Sequence, residues 1–573
     1  MIPAPFILLP LIIALPLAGL LKNGKSVAYV SVGASFISLA MLPFISQGPL
    51  QINWFSVGPF QFSLVTNVST LNYILLFLVL LLSPFIYIYS IGYFKNRVEY
   101  KRYYLEMLSF TTAMALFSIA GNFISLFVAW EFLSITSYLL IGFWYRKKSA
   151  SRAARKALTI VFIGDIALLA SIAIIWNAYG TLTFANLISI PKVASLLLLI
   201  AIFTKSAQFP FNEWLPDAME GPVPVSAYLH STTMVKAGVF IAILLFPLFA
   251  RSNVLSYFTI FGITTASIAT LNALKETHIK RILAYSTVQE LGLMLSAIGI
   301  GAIGAALYFF FAQAFYKALL FFSSGIIIEA NENENINSIY GLKRNRLIYI
   351  STLFGVLALA GFIPFDGFFS SVSISSSFSS NLVAYTIISL ISIGTSFFIF
   401  RWLFAVSKDT KNKNIILSYI TQPKSMVFTT AFLSILLLLA SIVFFYFGSL
   451  GYMLSLRYEE AVIETILVAL GFAISYMVYV KEKIVVSNRF LESLVYNSRL
   501  FNILYEWSAK FVYFISDGAG MLDLYINDMF DWLGHATILI GNFARKIENG
   551  DISFYALIIV LSFIAMSALV LFA

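Results

Sequence analysis

The 573-residue sequence has no cysteine, only three histidines, and charge on just 11% of its positions. Without cysteine there are no disulfides, no thiolate metal sites and no iron–sulfur ligation within the chain. Three scattered histidines also argue against a redox-metal centre. The shortage of charge stands against 60% hydrophobic residues, a balance that no water-soluble fold can cover. Apolar runs of about eighteen residues or more recur along the whole length, the pattern of many membrane-spanning helices. A net charge of +10 would suit a nucleic-acid binder. The basic residues instead sit in short loops between apolar runs, where they orient spans. The first run, Ile2 to Leu21, lacks a basic leader and is followed at once by another, so it reads as a retained span.

The sequence predicts an all-α polytopic protein of about sixteen spans. An N-terminal group covers 1–103, with an exposed hairpin at 46–66 where Gly48-Pro49 and Gly58-Pro59 flank Trp54. Two five-helix units follow at 104–250 and 251–407, then two spans in 408–481. An amphipathic stretch covers 482–551, and a last span covers 552–573. The unit of 104–250 ends in a span expected over 222–248. The sides alternate cleanly. The loops of one face carry 24 Lys and Arg, whereas the other face has only Lys192, Arg251 and Arg457. The basic face is therefore expected to be cytoplasmic, with both termini outside.

Two spans are interrupted by proline, one at Pro210 and one at Pro364 in GFIPFDGFFSS. Proline removes a helix hydrogen bond and frees carbonyls at membrane depth. Breaks at corresponding places in two units point to an inverted-repeat transporter. Ionisable residues inside apolar runs carry the chemistry, because each is costly there unless it serves transport. They are Glu131, Asp165, Lys205, His230, Lys236 and Lys317, with Arg401 near a span end. A lysine in a low-dielectric interior gives up its proton more readily, and a nearby carboxylate reverses this. Glu131 moving relative to Lys205 is then a switch, and Lys236 would pass the proton on towards Lys317.

At AWEFLSITSYLLIGFWY, TKSAQFPFNEWLPDAMEGPVPVSAYLHSTTMVKAGVF, HIKRILAYSTVQELG and AQAFYKALLFFSSG the chain resembles the antiporter-like subunits of respiratory complex I and their Mrp-type cation/proton antiporter relatives. The amphipathic stretch followed by RKIENGDISFYALIIVLSF resembles the L-type subunit with its lateral helix. If wholly helical, about 60 residues would reach roughly 90 Å, and Gly518 and Gly520 invite a break.

The resemblance implies a proton pathway of Glu131, Lys205, His230, Lys236, Lys317 and Asp165. The candidate exit or supporting groups are Gln313, Tyr308, Asp366 and Arg401. It implies no cofactor in this chain, with quinone and iron–sulfur clusters in partner subunits. The implied partners are other antiporter-like subunits, small K- and J-type membrane subunits against the lateral helix, and a hydrophilic redox arm. The expected location is the plasma membrane.

Departures from the family pattern stand out. Phe162 replaces an arginine before Asp165. Phe309 and Gln313 replace two histidines on the Lys317 stripe. Ser371 and Val372 replace the lysine and acid of the presumed exit. The second half therefore looks stripped. Two other readings remain open: a sodium/proton antiporter subunit, and a non-pumping clamp that ties a membrane arm together.

Overall fold

A computed structural model describes residues 2–57, 60–95, 100–449 and 458–481, with scattered positions between 510 and 562. The sequence-expected lateral helix at 482–551 and the last span at 552–573 lie mostly outside the described residues. The described positions from Lys510 to Asn542 are all helical. Residues Met1–Val495 form one compact unit and Tyr496–Ala573 a second.

The first unit is a bundle of helices with one small hairpin. It opens with α1 (Leu9–Leu20) and α2 (Gly24–Met41), followed by strands β1 (Leu50–Val57) and β2 (Phe60–Thr66). The strands pair antiparallel, with a bulge near Asn53, as the glycine–proline pairs predict. Next come α3 (Thr70–Tyr93), α4 (Tyr100–Ser118), α5 (Phe123–Ile141) and the long α6 (Lys148–Tyr179). Asparagines and serines set the starts: Ser69 caps α3, and Asn122 accepts the Ser125 N–H at 2.8 Å to cap α5. Such caps matter in a bilayer, where no water satisfies the first-turn amides.

The first break follows. Helix α7 (Lys192–Lys205) ends eight residues before a short turn, α8 (Trp214–Asp217), and the Phe209–Pro210 peptide between them is cis. The span expected over 222–248 is itself divided into α9 (Val223–Ser231) and α10 (Lys236–Leu244), with a short α11 (Phe246–Arg251) after it. No proline marks this extra interruption, so proline counting missed it. Then come α12 (Leu255–Lys275), α13 (Ile279–Gly299) and α14 (Ile303–Asn331). The second break separates α15 (Arg346–Ala360) from α16 (Asp366–Ser377), with a cis Ile363–Pro364 peptide. Gly361 ends α15 at φ +79, a conformation that glycine adopts without penalty. The unit closes with α17 (Leu382–Val406), the short surface helix α18 (Lys413–Ile420), α19 (Lys424–Ser449) and α20 (Tyr458–Tyr479).

Among the described residues, eleven helices are long and apolar enough to cross a membrane, and Ala4–Leu20 and Arg346–Ala360 are shorter apolar helices. The chain is a membrane protein. Its most enclosed spans are Val223–Leu244, Ile279–Gly299 and Ile303–Asn331, so α9, α10, α13 and α14 form the centre of the bundle.

Ion pairs tie the basic face together. Lys147 meets Glu220 at 2.7 Å, Lys156 meets Asp217 at 2.8 Å, and Arg281 reaches the same Asp217 at 3.3 Å. Glu334 receives His278 at 2.8 Å and Lys280 at 3.0 Å. Burial alone would raise the Glu334 carboxyl, but these two neighbours outweigh it and hold the group at about 2. The loop after the first break is thereby pinned to α6 and α13.

Candidate functional site: a buried chain of charges

The first cluster lies where α5, α6 and α7 meet. Trp130 and Ser134 stand one turn apart on α5 and so share a face. Asp165 comes from α6, and Lys205 is the last residue of α7. The two helices approach closely just before these groups: a Cβ on Gly164 would fall 1.9 Å from Thr204 Oγ1. Lys205 Nζ donates to Ser134 Oγ at 2.6 Å and to the Trp130 carbonyl at 3.2 Å, and it lies 4.6 Å from the Trp130 ring. Asp165 accepts from Trp130 Nε1 at 2.6 Å and from Ser134 Oγ at 3.2 Å. Ser134 thus touches both charged groups.

The sequence placed Glu131 beside Lys205. The structure gives Lys205 two charged neighbours, Asp165 first and Glu131 second. Glu131 Oε1 is buried with no hydrogen-bond partner among the described residues. Asp165, expected from the sequence as a pathway residue, sits in the cluster.

The two interruptions meet. Ser206, directly after Lys205, donates to the Val235 carbonyl at 2.8 Å, and Val235 precedes Lys236. Around this junction Gln208 Oε1, His230 Nδ1, Ser231 Oγ and Thr232 Oγ1 are buried without partners among the described residues. Lys236 Nζ donates to the Phe310 carbonyl of α14 at 2.5 Å and lies 4.6 Å from that ring. His230 packs its ring against Phe321, centroids 5.8 Å apart. The first unit's charges thereby reach the helix that carries Lys317.

The second cluster joins α13 and α14. Lys317 Nζ pairs with Glu290 Oε2 at 3.1 Å and donates to Ser286 Oγ. Gln313 Nε2 donates to the same Glu290 oxygen at 2.7 Å. Both members of the ion pair are buried. Glu290 was absent from the sequence-based list, although it stands inside the apolar run STVQELGLML. The rule that selected Glu131 finds it equally well. Ser134 and Ser286 had no such signal, since serine recurs in most of the spans.

The remaining candidates scatter. Asp366 begins α16; its Oδ1 accepts the Gly367 N–H at 2.9 Å, and its Oδ2 is buried without a partner among the described residues. Tyr308 packs with Phe368, Phe369 and Val372. Arg401 donates to the carbonyls of Ala273 and Glu276 at 2.9 and 2.5 Å, satisfying the end of α12 as a helix-terminal cation does. The structure does not bring it to either cluster. Among the described residues no group of three or more His, Asp or Glu is arranged to hold a metal ion.

Known proteins resemble this arrangement. A family model described as NADH:quinone oxidoreductase/Mrp antiporter, TM, matches residues 120–398. A second, NADH-Ubiquinone oxidoreductase (complex I), chain 5 N-terminus, matches residues 54–104. NADH-quinone oxidoreductase subunit L of Rickettsia bellii is 38% identical over 64% of this chain. The chain spans 62% of that relative's length. The chloroplastic NAD(P)H-quinone oxidoreductase subunit 5 of Chaetosphaeridium globosum is 30% identical, covering 90% of this chain and 87% of its own. A solved structure of the Mrp complex from Dietzia sp. DQ12-45-1b superposes with a TM-score of 0.75 at 21% identity, over 99% of this chain and 63% of that one. That likeness speaks for the fold.

Proposed function

The chain belongs to the family of NAD(P)H-quinone oxidoreductase subunits 5 and L, and from that premise we propose that it passes protons across the membrane as the antiporter-like subunit of a redox-driven, complex I-type pump. One observation carries the reading. Two buried lysines, each beside a buried acid, flank two helix interruptions that meet at Ser206 and Val235, and Lys236 reaches from that junction to the helix of the second lysine. Burying these amines and acids costs far more than apolar packing would, so their place in the enclosed centre needs a purpose.

The physical cycle begins at Lys205. As the last residue of α7, it stands at the negative end of the helix dipole and sends its ammonium across to Ser134 and the Trp130 carbonyl of α5. The break beyond it lets α7 shift against α5 without tearing a continuous helix. Movement towards Glu131 or towards Ser134 and Asp165 changes the local field, and with it whether Lys205 holds or releases a proton. The unpartnered polar atoms at 208 and 230–232 are places where ordered water is favoured. Water there would connect Lys205 to Lys236, and Lys236 to Lys317.

Relatives are named as oxidoreductase subunits, which places the chain in a multi-subunit membrane assembly. The redox chemistry, its quinone and its iron–sulfur clusters then reside in partners: further antiporter-like subunits, K- and J-type subunits along the 482–551 stretch, and a hydrophilic arm. The site of action is the plasma membrane, with the basic loops inside.

The test is Lys205→Ala in inverted membrane vesicles, with assembly checked by native electrophoresis. Proton yield per electron should fall in an intact assembly. An unchanged yield would favour a structural clamp, and turnover that requires sodium would favour sodium/proton exchange.

A further inference from the structure

From the Lys317–Glu290 pair a proton has two ways to the face opposite the basic loops. One follows the broken helix α16. There Ser371 and Val372 supply no charge, and Phe368, Phe369 and Val372 form an apolar cluster with Tyr308, against which Ala461 of α20 packs. That packing puts hydrocarbon between α16 and α20 at this level.

The other way runs along the seam of α17 and α20. Gln289, the neighbour of Glu290 on α13, donates Nε2 to Thr395 Oγ1 of α17 at 2.6 Å. It is 2% exposed, and its Oε1 has no partner among the described residues. One turn nearer the opposite face on α17 stands Ser392, which neighbours Glu464 of α20. Glu464 is 2% exposed. One turn further out, Glu460 accepts from Tyr385 Oη at 2.5 Å. Among the described residues the neighbours of these acids are hydroxyls and each other, with no base. Like charges four residues apart on a helix repel. Two such carboxyls sharing a buried seam favour holding a proton between them.

As mere glue between helices the acids are poorly chosen. Ser396 already ties α17 to the Val468 carbonyl at 2.7 Å, and glutamine would make the same hydrogen bonds without a charge to bury.

The geometry points to the α17–α20 seam as the proton outlet of the second half, in place of the broken helix: the proton leaves Glu290, is carried by ordered water held at the unpartnered Gln289 Oε1 to the Thr395 hydroxyl, protonates Glu464 and is released through Glu460 and Tyr385. Each water and hydroxyl on the way accepts one proton and donates another, while Gln289 only holds the water in place, so only the carboxylates change charge. The step needs no oxidant or reductant. This assignment rests on the proton-transfer reading above.

The experiment uses the full assembly in respiring inverted vesicles. Proton yield per electron is read with a pH-sensitive dye, and the carboxylic-acid stretch by infrared difference spectroscopy. Glu464→Gln should assemble, lose this subunit's share of the yield and erase one infrared carboxyl band; Glu464→Asp should restore the yield with the band shifted. Tyr385→Phe keeps both acids and serves if Glu464→Gln does not assemble; it should shift the band and lower the yield. Wild-type yield in Glu464→Gln or, failing that, in Tyr385→Phe would overturn the outlet. So would a larger loss from Asp366→Asn than from Glu464→Gln. Lys205→Ala keeps the two proposals apart. If it lowers the yield while Glu464→Gln does not, only the outlet falls; if neither does, the transport reading itself falls.

Discussion

At the scale of single residues, the pairing of Lys317 with Glu290 at 3.1 Å in a fully enclosed site makes a demand that separates stability from transport. Removing one partner of a buried ion pair strands the other and costs roughly 3–5 kcal/mol, whereas replacing both by groups of similar size is close to neutral. Lys317→Met and Glu290→Gln should therefore each lower the thermal midpoint of the detergent-solubilised assembly. The double variant should recover most of that loss while transporting no better than either single variant. A double-mutant cycle on the two midpoints gives the coupling. Additive losses would mean that the pair is not formed. Ser134 offers a gentler probe: its hydroxyl contacts Lys205 at 2.6 Å and Asp165 at 3.2 Å. Hydrogen bonds to charged groups are worth about 1.5–3 kcal/mol, so Ser134→Ala should slow proton transfer more than it destabilises the fold. Initial pumping rates set against melting temperatures would show this. Most charged members of both clusters were legible in the sequence, because a charge in an apolar run is visible in one dimension. Their pairing was not legible. Whether Glu131 or Asp165 is the stronger neighbour of Lys205 depends on how α5 turns against α6, which no spacing encodes.

At the scale of elements, helix packing decides where the charged groups sit. Helices α12 and α13 touch through facing glycines: a Cβ on Gly262 would lie 2.5 Å from the Gly292 carbonyl oxygen, and one on Gly292 would lie 2.6 Å from that of Gly262. Small residues at such crossings let membrane helices approach closely where no hydrophobic force between them exists. Gly292→Ala must push α13 outward, an overpacking that costs about 1–3 kcal/mol. Since Glu290 is two residues away on the same helix, the expected result is a lower melting temperature together with reduced pumping. A change in pumping alone would argue against the packing account. The proline breaks and the hairpin were readable from local chemistry, because Pro and Gly act where they stand. The division between α9 and α10 was not. The segment from Thr232 to Val235 has no breaker, and its departure from helix is imposed by the neighbouring interruption, through the bond from Ser206 to the Val235 carbonyl.

At the scale of the whole molecule, the uneven distribution of Lys and Arg predicts a direction, and every proton route depends on it. The segments holding Lys22, Lys147, Arg344 and Lys411, with Arg281 at the start of α13, lie at helix ends of one face. The β1–β2 hairpin and the starts of α17 and α20 belong to the other. The positive-inside bias predicts that the first face is cytoplasmic; on that orientation protons would enter near the pinned loop at Asp217 to Gly221 and leave beside Tyr385. The absence of cysteine makes this directly measurable, because a single introduced thiol is the chain's only site for maleimide. Gln51 in the hairpin and Lys411 after α17 are both exposed. Gln51→Cys should react with a membrane-impermeant maleimide in intact cells, and Lys411→Cys only in inverted vesicles or after permeabilisation. Partner subunits that shield either site would slow labelling on its own side without transferring it to the other. The opposite pattern would reverse the molecule in the membrane. The α17–α20 seam would then become an inlet, and Glu460 the first group to meet an incoming proton.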